Sequence, residues 1–223
     1  MASSLSAQAA AARRRRMVDG QLRVVGVNDL DLLAAFLDTP REAFVDPSRA
    51  GVAYLDSDQP ARGSRTRRLL APSTLARLLQ AAAVKPGDRA LDVAGGSGYG
   101  AAILARLGAR VTALECDPGA AEAARRALAG IEGVEVILAD LAKGAPDRAP
   151  FDVIVVHGAF ETPPEALFAQ LAEGGRLVGV EAAEGAGEAA LFERSAAGVS
   201  RRGLFETNAA ILEAFRRAPS FAF

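Results

Sequence analysis

The chemistry-bearing residues of this chain gather near its middle. Gly95, Gly96 and Gly98 follow the short run 89–93, whose apolar residues are Leu91 and Val93, and a helical pattern over 101–107 comes next. A strand that ends in glycines and passes into a helix N-terminus presents backbone N–H groups to a nucleotide-like ligand. Glycine there permits both positive φ and close backbone approach. The turn Lys85-Pro-Gly-Asp88 starts the strand. Nicotinamide, flavin and S-adenosylmethionine proteins all use such a turn, and a plain tight turn has the same composition, so the residues downstream decide.

A second strand over 109–115 ends in Glu115, where a carboxylate can accept both hydroxyl protons of an unphosphorylated adenosine ribose. A third strand over 134–140 ends in Asp140, and a fourth over 151–156 opens into His157-Gly158-Ala159. The ends of parallel strands gather at one sheet edge, so these residues are expected around one crevice. The single cysteine, Cys116, has no histidine or cysteine companion at metal spacing, so neither a structural metal nor an intramolecular disulfide is expected.

The series Asp92-x-x-Gly-Gly-x-Gly98, Glu115, Asp140, Phe151-Asp-Val-Ile-Val-Val156 and Leu171-Ala-Glu-Gly-Gly-Arg-Leu-Val178 resembles the Rossmann-like class of S-adenosylmethionine-dependent methyltransferases. Upstream, Met17-Val-Asp-Gly-Gln-Leu-Arg23, Gly26-Val-Asn-Asp29, Thr39-Pro-Arg-Glu-Ala-Phe-Val45 and Ala53-Tyr-Leu-Asp56 narrow the resemblance to protein-L-isoaspartate (D-aspartate) O-methyltransferases, over about 17–204. That resemblance implies S-adenosylmethionine as cofactor, with Asp92, Ala94, Gly95, Gly96, Gly98, Glu115, Cys116, Asp140 and Leu141 around it. Asp140 would accept from the adenine amino group or, on the plainer reading, cap the next segment. Cys116 would touch the adenine or pack as a small hydrophobe.

Two departures stand out. Ala94 occupies a position where the resembling family usually has glycine. The family's Gly-x-Gly-Gln-Thr-Ile-Ser segment before a proline is replaced by Arg62-Gly-Ser-Arg-Thr-Arg-Arg-Leu-Leu-Ala-Pro72, with Leu70 at the serine and Arg68 at the threonine. A leucine cannot donate a hydrogen bond to a carboxylate. Either Arg62, Arg65, Arg67 and Arg68 supply guanidinium forks to an anionic acceptor, or the stretch is a solvated loop.

Methyl transfer demands few catalytic groups. The sulfonium donor is already activated and a carboxylate acceptor is ionised at neutral pH, so alignment and water exclusion are the protein's main tasks. A hydroxyl, carbon or amine acceptor would require a base, for which His157 is the one histidine present. The catalytic candidates are therefore His157, Arg65 and Arg68.

The elements that must position these residues fit one α/β domain. The chain has 223 residues, half of them apolar, and a formal net charge of −1, without the basic excess of a nucleic-acid binder. Residues 1–16, acid-free and ending in four arginines, lack the apolar core of a secretory signal and read as a disordered extension. Residues 17–83 read as a helical cap, with Leu30, Leu33, Ala34 and Leu37 at helix spacing and a second helix over 69–83 carrying Pro72 in its first turn. Residues 84–223 read as the methyltransferase core. It is a doubly wound, mostly parallel Rossmann-like sheet, with a fifth strand over 175–180 and an antiparallel hairpin of 189–194 with 199–205. The tract 181–190 reads as a flexible connection, and Phe221 and Phe223 in the tail are expected to dock on the body.

The expected function is methyl transfer from S-adenosylmethionine to a carboxylate of a protein, peptide or small molecule, in the cytoplasm, with isoaspartyl repair as the default implied by the resemblance. A different acceptor stays open, as does a cofactor-binding regulatory protein without catalysis. A nicotinamide-dependent oxidoreductase is disfavoured because nothing downstream resembles a hydride-transfer site.

Overall fold

A computed structural model of the chain describes residues 2–183 and 186–218. The expectation for Phe221 and Phe223, and part of that for 181–190, lies outside these residues. In chain order the elements are α1 (Ala2–Met17), α2 (Leu30–Asp38), the short strands β1 (Gln59–Pro60) and β2 (Arg68–Leu69), and α3 (Pro72–Ala82). They continue with β3 (Arg89–Val93), α4 (Tyr99–Arg106), β4 (Arg110–Glu115), α5 (Pro118–Ala127), β5 (Val134–Leu138), β6 (Phe151–Phe160), α6 (Glu165–Phe168), β7 (Leu171–Glu181), β8 (Glu188–Ser195) and β9 (Gly198–Glu206).

Seven strands form one sheet in the order β5-β4-β3-β6-β7-β8-β9. The first five are mutually parallel, and β8 and β9 extend the sheet as the expected antiparallel hairpin. Alternating strand residues face opposite layers. Ala90, Val111, Ala113, Val153, Val155 and Val178 join the core beneath α2, α3 and α4, whereas Leu91, Val93, Leu114, Ile154, Val156 and Leu177 pack with Phe151, Phe160, Leu167, Phe168, Leu212 and Phe215 on the other side. The chain winds outward from β3 through β4 to β5, then crosses back to place β6 on the opposite flank of β3. Ligands of open α/β sheets sit at such a switch point, beyond the strands' C-terminal ends.

Three expectations are corrected. The segment 1–16 was expected to be disordered, yet Ala2–Met17 is helical, because alanine-rich sequence has high helix propensity and its C-terminal end is fixed by buried Met17 and Val18. The buried face of α2 is Leu32, Leu33, Ala35 and Phe36, with Leu30 71% exposed, since α2 must pack against both α1 and α4. The fourth strand continues through His157 to Phe160 because, beyond a bulge, Ala159 and Phe160 pair with Val180 and Glu181. None of the described helices is long and apolar enough to cross a membrane.

The cap is tied to the core by a buried cation. Arg41 is fully buried, donating from Nε to the Ala53 carbonyl (2.9 Å) and from Nη2 to the carbonyls of Leu70 (2.8 Å) and Leu69 (3.4 Å). Its guanidinium lies 4.8 Å from the ring centroid of Tyr99, the first residue of α4. Burial lowers the Arg41 pKa from its ordinary value, opposed by the charges of Asp58 and Asp56, and burial pushes the Tyr99 phenol up to about 12. Replacing Arg41→Met would leave three buried carbonyls without a donor. The expected loss is about 2–4 kcal/mol in a denaturant titration, and a loss below about 0.5 kcal/mol would show that these carbonyls find other partners.

Candidate active site

The loop after β3 has the geometry its glycines imply. Gly96 and Gly98 adopt φ of 63° and 92°, and Ala94 itself takes φ of 58°. An L-residue there costs about 1–2 kcal/mol, so the alanine accepts the conformation rather than changing it. Ala94 N–H donates to the Leu114 carbonyl at 2.9 Å, which fixes the loop to the end of β4. A Cβ on Gly95 would lie 2.0 Å from Asp92 Oδ2, and one on Gly100 would lie 2.3 Å from His157 Cε1.

Those two glycines make room for a bond across the switch point. Asp92 on β3 and His157 on β6 meet at 2.5 Å between Oδ1 and Nε2, both side chains buried. Asp92 Oδ2 is also buried and has no partner among the described residues. Ser97 of the same loop donates through Oγ to the Phe44 carbonyl, and Phe44 stacks edge-on against Tyr99, so the cap touches the loop directly.

Glu115 ends β4 as expected, but its oxygens are already engaged. Arg67 Nε donates to Oε1 at 2.9 Å and Oε2 at 3.1 Å, Gly96 N–H reaches Oε1 at 3.3 Å, and the N–H groups of Cys116 and Asp117 each reach Oε2 at 3.0 Å. Arg67 Nη2 also approaches Cys116 Sγ at 2.9 Å. The strip that carries Arg67 is held further by Ser64 Oγ donating to Asp117 Oδ2 at 2.5 Å. Burial would raise the Asp117 carboxyl, yet this bond and the Gly119 and Ala120 amides outweigh it and lower the pKa.

Beside the dyad lies a small cavity of about 20 Å³ lined by Asp58, Arg67, Arg68, Leu70, His157 and Leu212. That volume is on the order of one water molecule. Burial raises the Asp58 carboxyl above its ordinary value, against the Ala71 N–H bond and the charges of Arg41 and Arg68. A far larger hollow of about 590 Å³, lined by Arg89, Arg110, Thr112, Glu135 and Arg148, opens at the opposite, N-terminal ends of the strands. Strand polarity points ligands to the C-terminal edge, so the larger hollow is not the candidate site.

The sequence-derived residues thus separate into groups. Asp92, Ala94, Gly95, Gly96, Gly98, Glu115 and His157 converge, and Cys116 sits beside them but exposed, so the expectation that it packs as a small hydrophobe is corrected: it caps a strand end that faces solvent. Asp140 is exposed and caps the following turn through Oδ1 to Ala142 N–H (3.0 Å), while Leu141 is buried. Of the arginines, Arg65 and Arg68 are both exposed, and Arg68 also lines the edge of the small cavity. Sequence reasoning missed the individual roles of Arg41, Arg67 and Gly100. A glycine directly after Tyr99, at the start of a helix, was the one local signal for Gly100.

With this geometry in place, comparison with known proteins is informative. The family described as Protein-L-isoaspartate(D-aspartate) O-methyltransferase (PCMT) matches residues 12–204. A protein-L-isoaspartate O-methyltransferase of Methylorubrum extorquens is 45% identical over 166 residues, 74% of this chain and 72% of the relative. Another from Koribacter versatilis is 42% identical over 180 residues, 80% of each. A solved protein-L-isoaspartate O-methyltransferase superimposes with a TM-score of 0.78 at 28% identity, over 89% of this chain, which spans 65% of that one. A Plasmodium falciparum chain assigned to the same enzyme and solved with S-adenosyl-L-homocysteine has the same fold, with a TM-score of 0.77 at 21% identity over 90% of this chain and 98% of its own.

The loop geometry yields a paired test. Gly95→Ala forces the Asp92 carboxylate off His157 and is expected to cost about 2–3 kcal/mol in thermal or chemical unfolding. Gly20→Ala, where an added Cβ meets nothing within 4 Å, should leave stability unchanged or raise it by up to about 1 kcal/mol. Equal effects at the two positions would contradict the packing described.

Proposed function

This chain belongs to the protein-L-isoaspartate (D-aspartate) O-methyltransferase family, and we propose that it transfers the methyl group of S-adenosylmethionine to the carboxylate of an isoaspartyl residue in a protein or peptide. The observation that carries this reading is that Arg67, bonded to Glu115, and His157, bonded to Asp92, both line the cavity beside Arg68 and Leu70, so the end of the glycine loop and that cavity share one neighbourhood at the switch point. A donor site and an acceptor site therefore adjoin at the dyad.

The residues fit the donor. Asp92 Oδ2 is an orphaned buried acceptor held against Gly95, where any Cβ would collide with it, and Glu115 is an acid at the strand end that a ribose diol requires. Asp92, Ala94, Gly95, Gly96 and Gly98 would form its cradle, Glu115 would accept from the ribose hydroxyls, and Cys116, Asp140 and Leu141 would border the adenine. When bound, the donor supplies a methyl group already activated on a sulfonium.

The chain's own residues then align the acceptor. Arg68 lines the cavity and is the guanidinium suited to hold one carboxylate oxygen, replacing the hydroxyls that Leu70 cannot supply. Leu70 and Leu212 form an apolar part of the cavity wall. An isoaspartyl carboxyl of ordinary pKa is ionised at neutral pH, so no residue needs to take a proton from it. His157 is accordingly a positioning group, with Nε2 committed to Asp92. A cytoplasmic protein-repair role follows from this reading, and the free Cys116 is compatible with a reducing compartment.

The test is methyl transfer from labelled donor to an isoaspartyl peptide, with the matching aspartyl peptide as control. Transfer confined to the isoaspartyl peptide is expected. Binding of the donor without transfer to either would favour a regulatory protein. Arg68→Gln should raise the acceptor KM about tenfold while leaving affinity for S-adenosylhomocysteine unchanged. His157→Gln should reduce turnover by less than about tenfold, whereas loss of a true general base costs about 10²–10⁴.

A further inference from the structure

Arg67 occupies two sites at once. Its Nε makes the forked contact with both oxygens of Glu115, and the same side chain borders the cavity shared by Asp58, Arg68 and His157. The pair with Glu115 is well shielded, the two side chains being 13% and 3% exposed. The strip bearing Arg67 also lies on the glycine loop, since a Cβ on Gly96 would come within 2.8 Å of Ala61 Cβ and 3.7 Å of Arg67 Cβ. Ala61 N–H bonds to the Arg67 carbonyl at 3.0 Å, so the strip moves as a unit if it moves at all.

A carboxylate offers about four lone-pair positions, and Glu115 already receives Arg67 and three backbone N–H groups. The backbone donors are fixed in the loop and strand end. Among the described residues Arg67 is the one side-chain donor on Glu115, so a ribose diol and the Arg67 guanidinium compete for the same oxygens. Once displaced, a shielded guanidinium needs an anionic partner nearby. The cavity that Arg67 already borders, beside Arg68 and Asp58, is where the acceptor carboxylate of the proposed reaction would supply such a partner.

Resting on the donor and acceptor assignments proposed above, we propose that Arg67 is a donor-responsive acceptor-recognition residue. Held by Glu115 in the donor-free chain, it is released by the donor's ribose and joins Arg68 in clamping the substrate carboxylate. Two arginines then present a fork of the kind that recognises a carboxylate bidentately. Because linkage is reciprocal, the donor tightens acceptor binding and the acceptor tightens donor binding by the same factor.

The test measures binding, by calorimetry, of S-adenosylhomocysteine to the intact chain and to Arg67→Met, and of an isoaspartyl peptide with and without S-adenosylhomocysteine. Removing the competitor should tighten S-adenosylhomocysteine binding by about tenfold or more, the scale of one charge-assisted hydrogen-bonded contact. The same variant should lose the donor-dependent gain in peptide affinity that the intact chain shows. Arg67→Lys, which keeps the charge without the fork, should fall between the two and serves if the methionine variant fails to fold. Equal or weaker S-adenosylhomocysteine binding by the variants overturns this inference alone. No binding by any of the three proteins overturns the donor assignment and the inference with it.

Discussion

The seam between β3 and β6 is the constraint on which the rest of the structure depends. The chain winds one way from β3 to the β5 edge and the other way from β6 to β9, so the two halves of the sheet meet there and nowhere else. The meeting is sealed by the Asp92–His157 bond, and the glycines at 95 and 100 exist on either side of it because a side chain at either would collide with the pair. A crevice at a switch point is a general property of open α/β sheets. Here Arg67 and His157 border both the glycine loop's surroundings and the arginine-lined cavity.

Two arginines of the N-terminal part treat this seam in opposite ways. Arg41 is held by backbone carbonyls and an aromatic face, contacts that no small ligand would replace, with its buried Nη1 unpartnered among the described residues, and it fastens the segment 69–70 to the cap. Arg67 is satisfied by a carboxylate at the strand end where a nucleoside would dock. A buried ion pair holds firmly while both partners remain but leaves a costly unpaired charge when one is taken away. The first arginine therefore acts as a permanent fastening and the second as an exchangeable one, only two residues from Leu69, whose carbonyl Arg41 holds.

Much of this was legible in the sequence. The glycine run, the acid ending β4 and the β-hairpin near the C-terminus obey local rules of period and turn chemistry, and β3, β4, β8 and β9 lie where those rules put them, whereas β5 stops at Leu138 and leaves Asp140 to cap the next turn. The extension of β6 was not legible, because strand pairing of Ala159 and Phe160 depends on β7 and on a bridge to Ile211 rather than on local pattern. The helix α1 was missed because its charge and small residues suggested solvation, while the anchoring at Met17 and Val18 is tertiary. The Arg67–Glu115 pair spans 48 residues and joins a loop to a strand end, and nothing in the spacing of either residue announces the other. Reading the arginine stretch as wholly solvated or wholly substrate-facing missed that its members differ: Arg65 and Arg68 are exposed, Arg68 at the edge of the cavity, and Arg67 is shielded and bound to Glu115.

The central claim is that the crevice at this seam takes an adenosyl donor on Glu115. The most direct measurement is a crystal structure of the chain grown with S-adenosylhomocysteine. The account predicts the ribose hydroxyls on the Glu115 oxygens, the glycine loop against the ligand, and the Arg67 guanidinium withdrawn toward Arg68. A structure with the ligand bound elsewhere and Arg67 still paired to Glu115 would contradict it.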